Sequence, residues 1–410
     1  MAPQDDKKNI VIIGGGIIGC TSAYYLSRHP SFDPSKHSIT LLEASSIAGG
    51  ASGKAGGLLG LWAYPSSIVP LSYRLHKELA DEHGGAERWG YRAVHCASVD
   101  CVGTKSDTSK STSTSKGEDV SLEKLSKQAI GKLRAAGVPA ELDWLDPDSL
   151  KYYDEMGTPA TTAQVHPYQF TTSMADLARS AGADIRTNSP VDRINYSPDA
   201  SAVDSVTYTD STTKTQHTLP ATDVVLAAGP WTQRLLPAAP ISALRAHSVT
   251  IRPARPVSAY CLFTEIKLKD PKSRSSETVS PEIYARPNNE VYACGEGDRT
   301  VPLPPLSSDV AVDEGRCDDI VAHVGSVSRA LRDGEVTAKQ ACYLPNVASG
   351  GSSGPLIGLT GTKGLVLAAG HTCWGIQNGP GTGKLVGEFV FEGRAGSAKV
   401  GGLDPRLCLR

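Results

Sequence analysis

No run of 18 consecutive apolar residues occurs in the 410-residue chain, so no segment reads as a membrane-spanning helix. The most apolar stretch, residues 49–71, carries too much glycine and proline to span. A charged leader followed by an apolar core is also missing, which leaves the cytoplasm as the expected location. Charge of one sign is scarce: 41 basic against 43 acidic residues give a formal net charge of −2. No basic footprint for nucleic acid or for an anionic membrane surface follows from those totals, so the expected ligand is small. The nine cysteines form no CxxC pair and no repeating spacing, which favours free thiols over a disulfide framework or a zinc site. HExxH, GxSxG and P-loop patterns are absent too, and with them the usual footholds for metal catalysis, serine hydrolysis and nucleoside triphosphate binding.

What is present begins at residues 10–19, IVIIGGGIIG, an apolar strand running into Gly14, Gly16 and Gly19. Gly14 permits a tight turn, Gly16 lets backbone amides approach a pyrophosphate, and Gly19 lets the following helix pack on the strand. The helix N-terminus then faces the phosphates. The next apolar strand, ITLLE, closes on Glu43, 24 residues after Gly19. Its carboxylate suits ribose hydroxyls and would repel a 2′-phosphate.

At 410 residues the chain exceeds what one growing core supports, and two intertwined domains are expected. Residues 104–118, TKSDTSKSTSTSKGE, are polar and repetitive and read as a mobile surface insertion. Helical spacing returns over 122–137 and 173–185. From about 186 onward, short β-rich runs (VDRINYS, SAVDSVTYT, HSVTIRPA, SAYCLFTEI, EIYARP, EVYACGE) alternate with turns and predict an antiparallel or mixed partner sheet. Two buried strands ending in Ala-Ala-Gly, within 222–232 and 363–376, belong beside the first strand. The fold class is therefore mixed α/β: a Rossmann-type nucleotide domain assembled from 1–90, 155–235 and 340–410, with a substrate domain from 91–154 and 236–339.

A nicotinamide enzyme needs only the first cradle. This chain adds a second glycine-rich segment, GGASGKAGGLLG at 49–60, and near its other end glycine turns leading into a helix within 371–390. Amides at that helix start can stabilise negative charge on a reduced ring. Together the three segments favour FAD.

With these landmarks the sequence resembles the FAD-dependent D-amino-acid oxidase superfamily, in particular its glycine oxidase and sarcosine oxidase branch. The segments IVIIGGGIIGCTSAYYL, LLEAS, ASGKAGGLLG, DVVLAAGPWT, EIYARPNNEVYACGE and AAGHTCWGI with PGTGK carry the likeness over nearly the whole chain. Through QACYLP, GPLIG and CWGIQNGPGTGK it is further similar to a fungal subgroup linked to endosome-to-Golgi trafficking. The resemblance implies a glutathione-reductase-like FAD domain and a sheet domain covering the flavin. The set expected around FAD is Gly14, Gly16, Ile17, Ile18 and Gly19; Glu43, Ala44 and Ser45; Ser52, Lys54, Ala55, Gly56, Gly57 and Leu58; Val191; Ala228, Gly229 and Trp231; Cys342; and Gly370, Trp374, Gly375, Ile376 and Gln377. By the same resemblance Val191 reaches adenine through its backbone, and Gly375, Ile376 and Gln377 border the pyrimidine edge. Cys342 falls where sarcosine-oxidase relatives attach flavin through sulfur; non-covalent FAD is the expectation, with a Cys342 link as the alternative.

The implied chemistry is oxidation of a small primary or secondary amine by hydride transfer to flavin N5, with O2 as acceptor and H2O2 as product. His371, Tyr284 and Arg286 are the candidate catalytic residues. The resemblance also exposes a departure: the two positions where relatives hold a substrate carboxylate with arginine are Leu344 and Cys373 here. Arg286, Arg252 or Lys54 are candidates to replace them, unless the substrate amine lacks a carboxylate. Tyr260, Tyr284, Trp62 and Trp374 are candidates for an aromatic wall over the ring. The alternative function is a flavin-binding protein with a trafficking, interaction or redox-sensing role and little amine oxidation.

Overall fold

The computed structural model describes residues 7–104, 137–270, 272, 275–347 and 354–409. A six-stranded sheet carries the first glycine turn. Its order is Leu356–Leu359, Leu365–Ala369, Asp223–Leu226, Lys8–Ile13, His37–Leu42 and Asp184–Arg186. All neighbours are parallel except the first pair. The strands read as continuous apolar runs because both faces are covered. Alternation divides them: Ile10, Ile12, Ile39 and Leu41 pack with the helices Ile17–Leu26, Pro167–Ser180 and Gly375–Glu392. Val11, Ile13, Val224 and Leu226 point the other way, against the antiparallel sheet of Val191–Tyr196, Val203–Asp210 and Thr215–Pro220. The two Ala-Ala-Gly strands thus stand beside the first strand as expected. The runs VDRINYS and SAVDSVTYT, by contrast, cover this sheet rather than join the partner sheet, because their apolar side chains close over its second face.

Two helices set the depth of the molecule. Ile17–Leu26 and Gly375–Glu392 approach so closely that a Cβ at Gly383 would lie 2.5 Å from the Thr21 backbone, and the Thr21 hydroxyl donates to the Gly379 carbonyl at 2.8 Å. The first helix is therefore fixed directly against the last long one.

The second sheet has eight strands. Seven run in the order Glu335–Val347, Ile241–Arg252, Glu290–Asp298, Glu282–Arg286, Tyr260–Lys269, His95–Thr104 and Leu150–Gly157, and Ser276–Val279 pairs off this path. It is mixed, since Tyr260–Lys269 runs parallel to His95–Thr104. Strands Leu150–Gly157 and Glu335–Val347 extend past the expected borders at 154 and 339, which fall inside strands paired to this sheet. One face packs Val99, Val249, Leu262, Ile283 and Ala293 against the helix Glu314–Gly325 and Trp144. The opposite face, offset by one residue, looks toward the nucleotide-binding half. The expected helix over 122–137 and nearly all of the expected insertion at 104–118 lie outside the described residues. No helix among the described residues is long and apolar enough to cross a membrane.

His76, fully buried on the helix Val69–His83, ties these helices together. Its Nε2 donates to the Ile376 carbonyl at 2.9 Å, while Nδ1 has no partner among the described residues. Burial lowers its pKa from 6.5 to about 4. The unfolded chain consequently takes up this proton first: the stabilisation is complete above pH 6.5 and is lost as pH falls toward 4. Urea unfolding midpoints should show on the order of 2 kcal/mol lost through this group between pH 7 and pH 5. A His76→Gln variant, which keeps a donor for Ile376, should show a correspondingly flatter profile; an equal slope would refute the assignment.

Candidate active site

The strand Lys8–Ile13 ends at Gly14, whose φ of +113° is left-handed territory, and a Cβ there would collide with the Ala227 carbonyl. At Gly19 a Cβ would collide with the Gly14 carbonyl. Only this pairing lets the helix start directly above the strand. Its amide at Ile17 donates to the Ser52 hydroxyl at 2.9 Å, so the second glycine-rich segment caps the first cradle. Glu43 braces the turn: one carboxylate oxygen accepts from Gly15 N at 2.7 Å, and the other from Ser45 N at 2.8 Å and the Ser45 hydroxyl at 3.1 Å. An ionised carboxylate offers about four acceptor positions, which leaves capacity toward the cavity.

The segment around 54–57 is held from the large sheet. Arg286 donates from Nε to the Gly56 carbonyl at 3.3 Å and from a terminal nitrogen to the Ala55 carbonyl, and it pairs with Glu290 at 2.9 Å. A Cβ at Gly56 would enter the Tyr284 ring. Lys54 Nζ donates to the Ala341 carbonyl at 2.9 Å, and burial lowers its pKa. The third wall is the turn after Leu365–Ala369. There His371 is buried, with Nε2 3.0 Å from the Thr382 hydroxyl, and burial lowers its pKa to about 3. The 18-residue helix Gly375–Glu392 starts behind it without a side-chain cap, so its first amides are free to meet negative charge.

These walls enclose a cavity of about 510 Å³, within the range of cofactor and substrate sites. Of the residues expected around FAD and the three candidate catalytic residues, all line it except four, Gly19, Ser45, Arg286 and Gln377; Trp62, Tyr260 and Arg252 of the further candidates do not line it either. Each of the four has a physical reason. Gly19 lies beneath the turn, Ser45 is bonded back to Glu43, and Arg286 is engaged by two backbone carbonyls, by Glu290 and by the Tyr292 ring, 4.7 Å from its centre. Gln377 accepts from Gly60 N at 2.8 Å through Oε1, and its buried Nε2 lacks a partner among the described residues. Arg286 is thus a clamp on the 55–56 backbone rather than a free anchor for a substrate. Arg252 does not replace it either, being exposed and paired with Glu335 at 2.6 Å.

The aromatic wall differs from expectation in which face of the strand Tyr260–Lys269 supplies it. Tyr260 faces the far core, stacked on His95 and bonded to Glu141 at 3.1 Å. Phe263 takes its place, 6.1 Å from Tyr284 and 6.0 Å from Trp62, which itself meets Trp374 at 5.6 Å. Strand pairing sets Phe263 opposite Glu282, Glu282 opposite Cys294, and Tyr284 opposite Tyr292. Glu282, Tyr292 and Cys294 line the cavity and were not singled out from sequence. The signal was there: in EIYAR, Glu282 must share a face with Tyr284. Burial raises the pKa of Glu282, and its Oε2 accepts from the Tyr284 hydroxyl and, at 3.8 Å, from Cys294 Sγ. Leu344 and Cys373 also line the cavity. Cys342 is buried at the cavity wall, its thiol pushed up to about 11 by burial. Among the described residues no cluster of three or more histidine, cysteine or acidic side chains is placed to hold a metal.

Known proteins agree with this architecture. The family described as FAD dependent oxidoreductase (DAO) matches residues 9–389. TDA3 of Saccharomyces cerevisiae, named as an oxidoreductase, is 37% identical and covers 98% of this chain and 95% of its own. C1F5.03c of Schizosaccharomyces pombe, named likewise, is 36% identical with 98% and 99% covered. Glycine oxidase from Geobacillus kaustophilus superposes with a TM-score of 0.69 at 20% identity, covering 97% of this chain and 98% of its own. Iminodiacetate oxidase from Chelativorans sp. BNC1 gives 0.68 at 17%, again with 97% and 98% covered. At those identities the two structures speak for the fold.

If Arg286 fastens the 55–56 backbone, an Arg286→Met protein should lose about 3 kcal/mol in urea unfolding. Arg286→Lys should recover only part of it, because an ammonium cannot reproduce the planar fork. A Met variant as stable as the parent would remove the clamp from the account.

Proposed function

Because the chain belongs to the family of FAD-dependent oxidoreductases, we propose that it oxidises a small primary or secondary amine with O2 as acceptor, releasing H2O2. The observation that carries this reading is the convergence of both glycine segments and the start of the Gly375–Glu392 helix on one cavity whose far wall is aromatic. The family match sets the nicotinamide alternative aside.

The residues present suit the cofactor. The left-handed Gly14 turn and the helix start above it form a cradle for a pyrophosphate. Glu43 has the remaining acceptor capacity for ribose, Val191 lies at the cavity edge for adenine, and the buried donor Gln377 Nε2, unpaired among the described residues, lies just behind the wall formed by Gly375 and Ile376. When bound, FAD supplies a hydride acceptor and passes electrons on to oxygen. The protein contributes position and field: amides of Gly375 and Ile376 stabilise negative charge at the edge they face, and the aromatic wall excludes water from the reacting carbon. His371 is neutral at assay pH, so its role is to hold its turn through Thr382 rather than to carry a proton. Tyr284, its hydroxyl pushed well above its usual range by burial, is likewise a hydrogen-bond donor and not an acid.

The purified protein should carry FAD, and under anaerobic conditions at least one member of a panel of primary and N-methyl amines should bleach its absorbance, with peroxide formed on readmitting air. A flavin-loaded protein that no amine bleaches would leave a flavin-binding role in trafficking or sensing as the better reading. A colourless protein that refuses added FAD would sink both.

The Cys342 thiol is protonated near neutral pH, and the thiolate is the reactive form of a thiol. Acid precipitation should therefore release all of the flavin into the supernatant, and Cys342→Ala should retain FAD as the parent does. Fluorescence remaining on the precipitated chain, and lost in Cys342→Ala, would establish the covalent link instead.

A further inference from the structure

We propose that the substrate end of the cavity is a cation site, with Glu282 as the anchor, and that its ligand is an amine bearing no carboxylate. The inference rests on the amine-oxidising reading above and narrows its substrate class.

The argument begins with strand register. Across the large sheet, the pairings Gln340 with Ser248, Ser248 with Cys294, Cys294 with Glu282 and Glu282 with Phe263 place these residues in one row on the face turned toward the nucleotide half. Of these five residues Glu282 alone is charged. Its two protein contacts, from the Tyr284 hydroxyl and Cys294 Sγ, both end on Oε2. Among the described residues no donor reaches Oε1, and the residue is partly exposed at the cavity wall. An acceptor is thus left open on the cavity side.

Among the described residues no positive side chain pairs with it. The lining cations are Lys54 and Arg234. Lys54 donates to the Ala341 carbonyl, and Arg234 to the carbonyls of Pro304 and Pro305 near Trp231, so neither pairs with Glu282 among the described residues. Leu344 and Cys373 bring no charge to the cavity wall, and the Trp374 indole nitrogen, unpartnered among the described residues, is a neutral donor rather than a counter-ion. A carboxylate ligand would meet an acidic side chain in a desolvated wall, an arrangement that costs energy without a counter-ion.

The surrounding rings complete the site. Phe263, Tyr284 and Trp374 line it, Phe263 and Tyr284 6.1 Å apart; Trp62, behind the lining, links Phe263 to Trp374, and Tyr292, 5.9 Å from Tyr284, already carries the Arg286 guanidinium on its ring. Aromatic faces attract ammonium groups, most strongly where water is excluded. A carboxylate within such a ring set selects a compact cation: the ammonium donates to Oε1 while its carbon substituents pack on the rings.

The test uses FAD-loaded protein and three probes with one hydrocarbon shape: tert-butylammonium chloride, sodium pivalate and tert-butanol. None can give up a hydride from a carbon bearing nitrogen, so calorimetric binding is read without turnover. The ammonium should bind at least tenfold more tightly than the carboxylate or the alcohol at equal ionic strength. Glu282→Gln should weaken it about 10- to 100-fold while leaving tert-butanol within about twofold. Pivalate binding as well as the ammonium, binding of no probe, or an unchanged preference in a folded Glu282→Gln protein would each overturn the cation site. If that variant does not fold, the parent protein's preference among the three probes decides. Failure here with FAD still bound leaves the oxidoreductase reading intact, whereas failure to bind FAD at all strikes the earlier reading.

Discussion

A single steric constraint organises this molecule: the backbone at Gly14 must pass between the Ala227 carbonyl and the start of the first helix, where no side chain fits. That passage stacks the helix Ile17–Leu26 directly over the parallel sheet and aims its first amides along the cavity. Ser52 then caps Ile17 and Glu43 braces Gly15, so the second glycine segment and the second strand are registered to the same turn. Residues that are far apart in sequence acquire fixed positions because one turn admits them only in one arrangement.

The large sheet completes the site through alternation. Its odd-numbered positions in the Glu282–Arg286 strand, Ile283 and Ala285, are fully buried on the core side. Glu282 and Tyr284 face the cavity from the other side, and Arg286 crosses to the backbone of residues 55 and 56. The same strand therefore supplies both the chemistry of the wall and the clamp that holds the glycine segment against it. Burial sets the electrostatics: His371 and His76 are kept neutral, the Cys342 thiol stays protonated, and the Glu282 carboxyl titrates above the ordinary range.

The nucleotide cradle was legible in sequence because each of its signals is local. Gly14, Gly16 and Gly19 are spaced by the turn they form, Glu43 closes the adjacent strand, and the second Ala-Ala-Gly strand announces its place by its unbroken apolar run. The substrate wall was less so. Whether Tyr260 or Phe263 faces the cavity depends on the pairing of Cys261 with Tyr284, a contact between strands that sequence periodicity alone does not register. Arg286 looked like an anchor because its partners, the carbonyls of Ala55 and Gly56, lie 230 residues away and carry no side-chain signature. The runs at 191–210, inside the 155–235 portion assigned to the nucleotide domain, were grouped with the partner-sheet runs for a related reason: alternation shows that a face is buried, not which neighbour buries it.

The one-residue alternation of the Glu282–Arg286 strand bears on how such a pocket can diversify. Insertion or deletion of a single residue there would exchange an acid and a phenol for an isoleucine and an alanine, and would turn the arginine away from the glycine segment it grips. Length change is thus closed to this strand as a source of novelty. Replacement of one side chain at a time, at 263, 282, 284 or 294, can retune which molecules enter while the cradle behind it stays untouched.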